Sequence, residues 1–128
     1  MNKILLDTNI LILTAAGKTP PKVINYINDR TNIFLFSSAS IWEIAIKSSL
    51  NRPSFPIYPN EFYNELLSVG LEELSVNSRH ALIVKTLPTL HKDPFDRILI
   101  AQAIYEGVTL LTTDKIMAKY NEQVVYVG

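Results

Sequence analysis

The chain reads as an α/β protein, with a mostly parallel central sheet flanked by helices on both faces. Three observations predict this. Short β-type runs alternate with longer segments of helical period. The short runs are nearly continuous in their hydrophobicity, as strands are when helices cover both sides of a sheet. At 128 residues the length suits one domain, residues 1–128, with a core of its own.

In order, the apolar run Lys3–Leu6 is the first strand, and helical period covers Asn9–Ala16 and Pro21–Arg30. Ile33–Phe36 is a second strand and Ala39–Leu50 a third helix. Asn51–Pro59, with Pro53, Pro56 and Pro59, is the most loop-like stretch, too short and too aromatic for a disordered linker. Asn60–Val69 returns to helical period, and Leu71–Val76 is a weaker strand candidate before a helix over Ser78–Leu87. The clearest start signal is Asp93-Pro94, with Asp93 suited to the N-cap and Pro94 to the first helical position of Pro94–Glu106; Gly107 suits the far end. Val108–Thr112, a helix over Lys115–Tyr120 and the strand Val124–Val127 complete the pattern.

Composition narrows the chemistry. Lys plus Arg and Asp plus Glu each number 12, so no overall basic charge draws the protein to nucleic acid; such contact has to come from a local patch or a metal. Without cysteine there is no disulfide, thiolate zinc site or cysteine nucleophile. His80 and His91 are the only histidines and read as surface or loop residues, which leaves oxygen as the main donor for any metal. The N-terminal apolar run followed by Thr14-Ala15-Ala16 superficially resembles a secretory leader, but Asp7 and Asn9 interrupt it. No other stretch approaches the ~20 uninterrupted apolar residues of a membrane span. The expected location is therefore the cytoplasm.

Four acids occupy suggestive positions. Asp7 ends the first strand and Asp114 follows Val108–Thr112, so both lie at the carboxyl edge of a parallel sheet, where open α/β folds place ligands. Each has an alternative explanation as a helix N-cap. Asp96, in the first turn of its helix, is followed at three, four and seven positions by Leu99, Ile100 and Ala103 and has no helical cation to pair with; a dipole-answering acid is the alternative. Arg97 has Asp93 four residues before it and is expected to form a surface bridge with it. Glu43 is flanked by Ile41, Trp42, Ile44 and Ile46; Ser40 to Glu43 fits a capping box, with Lys47 as a helical partner.

Together the four can converge on one cleft. Two carboxylates ~5 Å apart repel by about 3 kcal/mol at an effective dielectric of 20. Such a cluster has to be spread out, partly protonated or held by a divalent cation. Hard oxygen donors without cysteine point to Mg²⁺, with Mn²⁺ as a substitute, and that pairing suits phosphodiester chemistry.

These stretches resemble the PIN-domain ribonucleases, specifically the VapC-type toxins of type II toxin–antitoxin pairs. The likeness runs along essentially the whole chain: LLDTN carries the first acid, SSASIWEIAIK the second, LHKDPFDRILIAQA the third and LLTTD the fourth. The resemblance implies a PIN-like fold, with Asp7, Glu43, Asp96 and Asp114 as metal-binding and catalytic acids. It also implies an RNA substrate, a homodimer, and a cognate antitoxin whose tail covers the acidic cleft. Thr113 and Asn9 carry over as supporting polar groups behind the acids. Asn9 departs from the His often found there, and Asn51 from a frequent Gly, which it can replace in a left-handed conformation.

Other readings are weaker. A phosphatase of the haloacid-dehalogenase type needs a second Asp two positions after the first, where this chain has Asn9. A receiver-type phosphoacceptor domain does not suit the order of motifs or the DPFDR helix. The non-enzymatic alternative is a catalytically silent PIN scaffold that binds a protein partner, with its acids serving as caps. Trp42 and the phenylalanines are expected in the core, and Lys47, Arg52, Lys92 and Arg97 either near RNA phosphates or on solvated helix faces.

Overall fold

Five strands form a single all-parallel sheet in the computed structural model, which describes residues 2–50 and 57–128. They are β1 (Asn2–Leu6), β2 (Asn32–Ser37), β3 (Glu72–Leu74), β4 (Thr109–Thr112) and β5 (Val124–Tyr126). Helices α1 (Thr8–Ala15) and α2 (Pro21–Asn28) connect β1 to β2, and α3 (Ser38–Ser49) and α4 (Pro59–Ser68) connect β2 to β3. Helices α5 (Ser78–Val84) and α6 (Pro94–Glu106) lead to β4. Of the loop expected over Asn51–Pro59, residues 51–56, which include Asn51, Arg52 and Phe55, lie outside the described residues.

The continuous hydrophobicity of the strands follows from burial on both faces. Ile4, Leu6, Phe36 and Leu111 enter one core with Ile10, Leu11, Ile44 and Phe62. Their neighbours Leu5, Leu35 and Leu110 enter a second core with Leu99, Ile100 and Ala103 of α6. Alternate residues of one strand therefore feed opposite cores, and neither face is left to be polar.

The strand order is β3-β2-β1-β4-β5. From β1 the chain moves outward through β2 to β3, then crosses back to β4 on the other side of β1. The order thus reverses between β1 and β4, whose register pairs Leu6 with Leu111. A crevice forms beyond the carboxyl ends of strands at such a switch point, and ligands of open α/β folds bind there.

Local signals explain most boundaries. Asp93 caps α6 through the Phe95 and Asp96 amides, Pro94 stands at its start, and Gly107 closes it with φ 68, a left-handed conformation that suits glycine. Several boundaries differ from expectation by a few residues, and three of the differences matter here. Lys115–Tyr120 is no α-helix: its regular part is a single 3-10 turn, Met117–Lys119. Helix α5 stops at Val84 instead of Leu87, where the carbonyls of residues 84 and 87 turn toward Arg97. Helix α3 starts earlier than expected, with Ser37 as its cap, so Glu43 sits beyond the first turn and the Ser40–Glu43 capping box does not form. Ser40 instead shares a buried hydrogen bond with Thr8 at 2.8 Å, tying α3 to α1. No helix among the described residues is long and apolar enough to cross a membrane.

Candidate functional site

The crevice at the switch point is lined by Asp7, Glu43, Asp96 and Asp114, together with Asp93, Asn9, Lys47 and Thr113, and encloses about 300 Å³. A larger depression of about 660 Å³ opens at the opposite end of the strands, around Lys3, Asn32 and Thr109. It gathers no comparable set of acids, so the chemistry concentrates in the smaller cleft.

Asp7 is only 3% exposed. Its Oδ1 accepts from the Ile10 amide at 2.8 Å, capping α1. Its Oδ2 accepts from the Thr112 hydroxyl at 2.6 Å and the Thr113 amide at 3.3 Å. Capping and cleft-lining thus coincide in one residue, and these donors, without a lysine or arginine, make its burial tolerable. Burial still pushes its carboxyl above the ordinary value of 3.8, against the pull of those hydrogen bonds.

Asp114 stands beyond β4. Its Oδ1 accepts from the amides of Ile116 and Met117 at 2.8 and 3.4 Å, the capping role its position suggests, here for the 3-10 turn. Partial burial raises its pKa, but the hydrogen bond from His91 and those two amides outweigh it, and the net shift is downward. Thr112 joins the two strand-edge acids: its hydroxyl donates to Asp7 and accepts from the Asp114 amide at 3.0 Å. Asn9 donates to the Thr113 hydroxyl at 2.7 Å, a second link between the segments after β1 and β4.

Glu43 is brought to the cleft by α3. Its Oε2 pairs with Lys47 at 2.9 Å, the helical pair that the spacing predicts. Its Oε1 is buried and has no hydrogen-bond partner among the described residues. A buried acceptor left open costs roughly 1–3 kcal/mol, more when charged, unless something outside the chain satisfies it. Asp96, on the first turn of α6, is pushed up to about 7, first by burial, then by the charge of Asp93, with Glu43 and Asp7 adding to the repulsion and His91 opposing it. Four acids from four segments therefore share one electrostatic environment. It holds too much negative charge for its donors, and a divalent cation fits such a donor set.

Sequence reasoning passed over one group. His91 stands in the loop before α6, one of the two places expected, but its ring turns into the cleft: its Nε2 lies 2.8 Å from Asp114 Oδ2 and 3.2 Å from Asp96 Oδ2. Potential ligand atoms of His91, Asp96 and Asp114 lie within 4.8 Å of one another. The available signal was its place within LHKDPFDR, ahead of Asp96.

His80 likewise is fully buried, with Nε2 2.8 Å from Glu106. Arg97 makes no bridge to Asp93; its guanidinium donates to the carbonyls of Val84, Leu87, Pro88 and His91 and to the Tyr120 hydroxyl. Trp42 is 64% exposed, packing edge-on against Phe95, because α3 turns it away from both cores. Phe36 and Phe62 are buried as expected, whereas Phe34 and Phe95 are half-buried.

A parallel α/β sheet that gathers carboxylates at its switch point defines a class of proteins with acidic, cation-compatible ligand sites. Within that class the sequence matches the family model of the PIN domain over residues 4–123, and the chain belongs to the PIN domain family. PIN domains are generally nucleases.

Among solved structures, the chain is similar to VapBC2 from Rickettsia felis bound to a DNA fragment of its promoter. The TM-score is 0.72 at 20% identity, covering 97% of this chain and 96% of that one. It is also similar to DNA-bound VapBC from Salmonella typhimurium, with TM-score 0.67, 18% identity and coverage of 98% and 97%. VapBC-1 from nontypeable Haemophilus influenzae gives TM-score 0.66, 18% identity and coverage of 91% and 90%. At such identities the likeness is one of fold. A comparison with curated proteins finds no match.

Proposed function

We propose that this protein is a metal-dependent endoribonuclease, the toxin of a toxin–antitoxin pair, hydrolysing RNA phosphodiester bonds in the cytoplasm. The observation that carries the reading is the convergence of Asp7, Glu43, Asp96 and Asp114 on one cleft in which Glu43 Oε1 is buried without a partner. Membership of a nuclease family and the likeness to VapBC complexes support it.

Asp7, Glu43, Asp96 and Asp114 would hold Mg²⁺, with Mn²⁺ as a substitute. When bound, the ion supplies Lewis-acid polarisation of the phosphodiester and lowers the pKa of a water. The chain's own residues divide the remaining work. Asp7, with donors on both oxygens, is the rigid member of the set. Glu43 contributes its open Oε1 acceptor. Asp96, whose carboxyl burial and neighbouring acids push up to about 7 in the cation-free cleft, gives up its proton as it takes the cation. Asn9, Thr112 and Thr113 keep the strand-edge acids in place.

Ile12 lines both the cleft and an apolar groove formed with Ala15, Ala16, Tyr58 and Phe62. An apolar antitoxin segment lying in that groove reaches the acids directly. The exposed Trp42, packed against the half-buried Phe95, is the face we assign to a second copy of the chain in a homodimer.

The test is incubation of purified, partner-free protein with total RNA, with and without Mg²⁺, followed by end mapping. Cleavage that requires the divalent ion and vanishes in both Asp7→Asn and Asp96→Asn is expected. Cleavage retained by both variants removes these acids from the mechanism, and absence of any cleavage by the wild type leaves a binding scaffold.

A further inference from the structure

We propose that His91 is a positioning residue of the cleft: its Nε2–H donates to Asp114 with Asp96 close beside it, and so sets the two carboxylates for the cation, without itself being a ligand. The inference rests on the nuclease reading and deepens it.

The tautomer is dictated by the backbone. The Asp93 amide donates to His91 Nδ1 at 3.1 Å, so Nδ1 is an acceptor and the ring proton of the neutral imidazole sits on Nε2. That nitrogen faces Asp114 Oδ2 at 2.8 Å and Asp96 Oδ2 at 3.2 Å. A proton-bearing nitrogen has no lone pair to give a metal. Ligation through Nε2 would move the proton to Nδ1 and aim it at the Asp93 N–H. His91 therefore donates to Asp114, with Asp96 Oδ2 beside it, in the manner of the outer hydrogen-bond partners that orient metal ligands.

The backbone that carries the ring is also held from behind. The His91 amide donates to the Tyr120 hydroxyl, which in turn donates to the His91 carbonyl at 3.2 Å. Arg97 donates to the same carbonyl at 3.2 Å and to the carbonyls of Pro88 and Val84 at 2.9 and 3.0 Å. Arg97 immediately follows Asp96 on α6, so one helical turn presents both the carboxylate and the clamp that fixes the loop carrying its donor. Asp114 is pinned on its other side, since Oδ1 accepts from Ile116 and Met117 and leaves Oδ2 for His91. Without His91, Asp114 Oδ2 loses its donor and Asp96 the ring beside it, and the two carboxylates are no longer set relative to each other.

The experiment uses Mn²⁺ alone as the probe, with affinity read from the electron paramagnetic resonance of free Mn²⁺, alongside RNA cleavage kinetics. His91→Ala is expected to lose about 10–100-fold in Mn²⁺ affinity and to lower kcat with KM for RNA unchanged. His91→Gln, whose Nε2 donates from nearly the same place, is expected to restore both. Pulsed spectra of Mn²⁺ on the wild type should show no directly bound imidazole nitrogen.

Wild-type affinity and kcat in His91→Ala overturn the proposal, as does His91→Gln failing equally while folded. A strong nitrogen coupling that disappears in His91→Ala makes the residue a ligand and overturns it too. A wild-type protein that binds Mn²⁺ and cuts RNA but is indifferent to His91 sinks this inference alone. One that does neither sinks the nuclease reading with it.

Discussion

In EDTA at pH 8, Asp96→Asn should melt higher than the wild type. Burial, Asp93, Glu43 and Asp7 together raise the folded-state pKa of Asp96 from 3.8 to about 7, with His91 opposing them. At pH 8 the carboxylate is ionised in both folded and unfolded states, and the folded state bears the whole penalty. The interval from 3.8 to about 7 corresponds to roughly 4 kcal/mol. The side chain remains 21% exposed, so water screens part of this, and a gain of about 2 kcal/mol is expected, or ~8 °C in melting temperature.

The pH dependence has a definite sign. As pH falls through about 7 the folded protein takes up a proton that the unfolded chain accepts only near 3.8. The wild type is thereby relieved, and its deficit against the variant shrinks by more than half by pH 5. Adding Mg²⁺ reverses the order, because the wild type gains stability by mass action and the variant lacks a ligand. Thermal melts by circular dichroism at pH 5, 7 and 8, in EDTA and in Mg²⁺, measure all of this. A variant that melts at or below the wild type at pH 8 in EDTA, or a gap that ignores pH, would refute the reasoning.

Three further outcomes are expected. Glu43→Gln should keep the fold in EDTA yet lose most of the Mg²⁺-induced rise in melting temperature, because it removes the charge on the buried acceptor without changing its shape; an undiminished rise would exclude Glu43 from the site. Arg97→Lys should cost about 2 kcal/mol in urea denaturation, since a single ammonium cannot reach all the carbonyls that the guanidinium now satisfies, and a cost near zero would make the clamp incidental. Trp42→Glu should yield a monomer by light scattering with little change in melting temperature, because the indole is already 64% exposed; an unchanged mass would place any dimer interface elsewhere.

Much of the architecture was legible from the chain alone because its signals are local. Continuous apolar runs, Asp93-Pro94 before a helix and Gly107 after one act through neighbouring backbone groups, and each needs only a few residues to be read. The four acids are legible for local reasons too: Asp7 interrupts an apolar run, Glu43 is flanked by apolar residues, Asp114 repeats the place of Asp7 after a strand, and apolar residues continue the face of Asp96. Where sequence and structure differ, the deciding contact is remote in sequence. Ser40 looked like a helix cap, but Thr8 engages it from α1. Arg97 has Asp93 four residues away, yet the carbonyls left at the end of α5 and in the following loop offer more bonds than one carboxylate already engaged in capping α6. His91 was indistinguishable from a loop histidine until the fold carried Asp114 to its Nε2. Strand order, too, is set by which helices cover which face. Such pairings depend on how distant segments share buried space and on which polar groups lose their water together, and no periodicity along the chain records that.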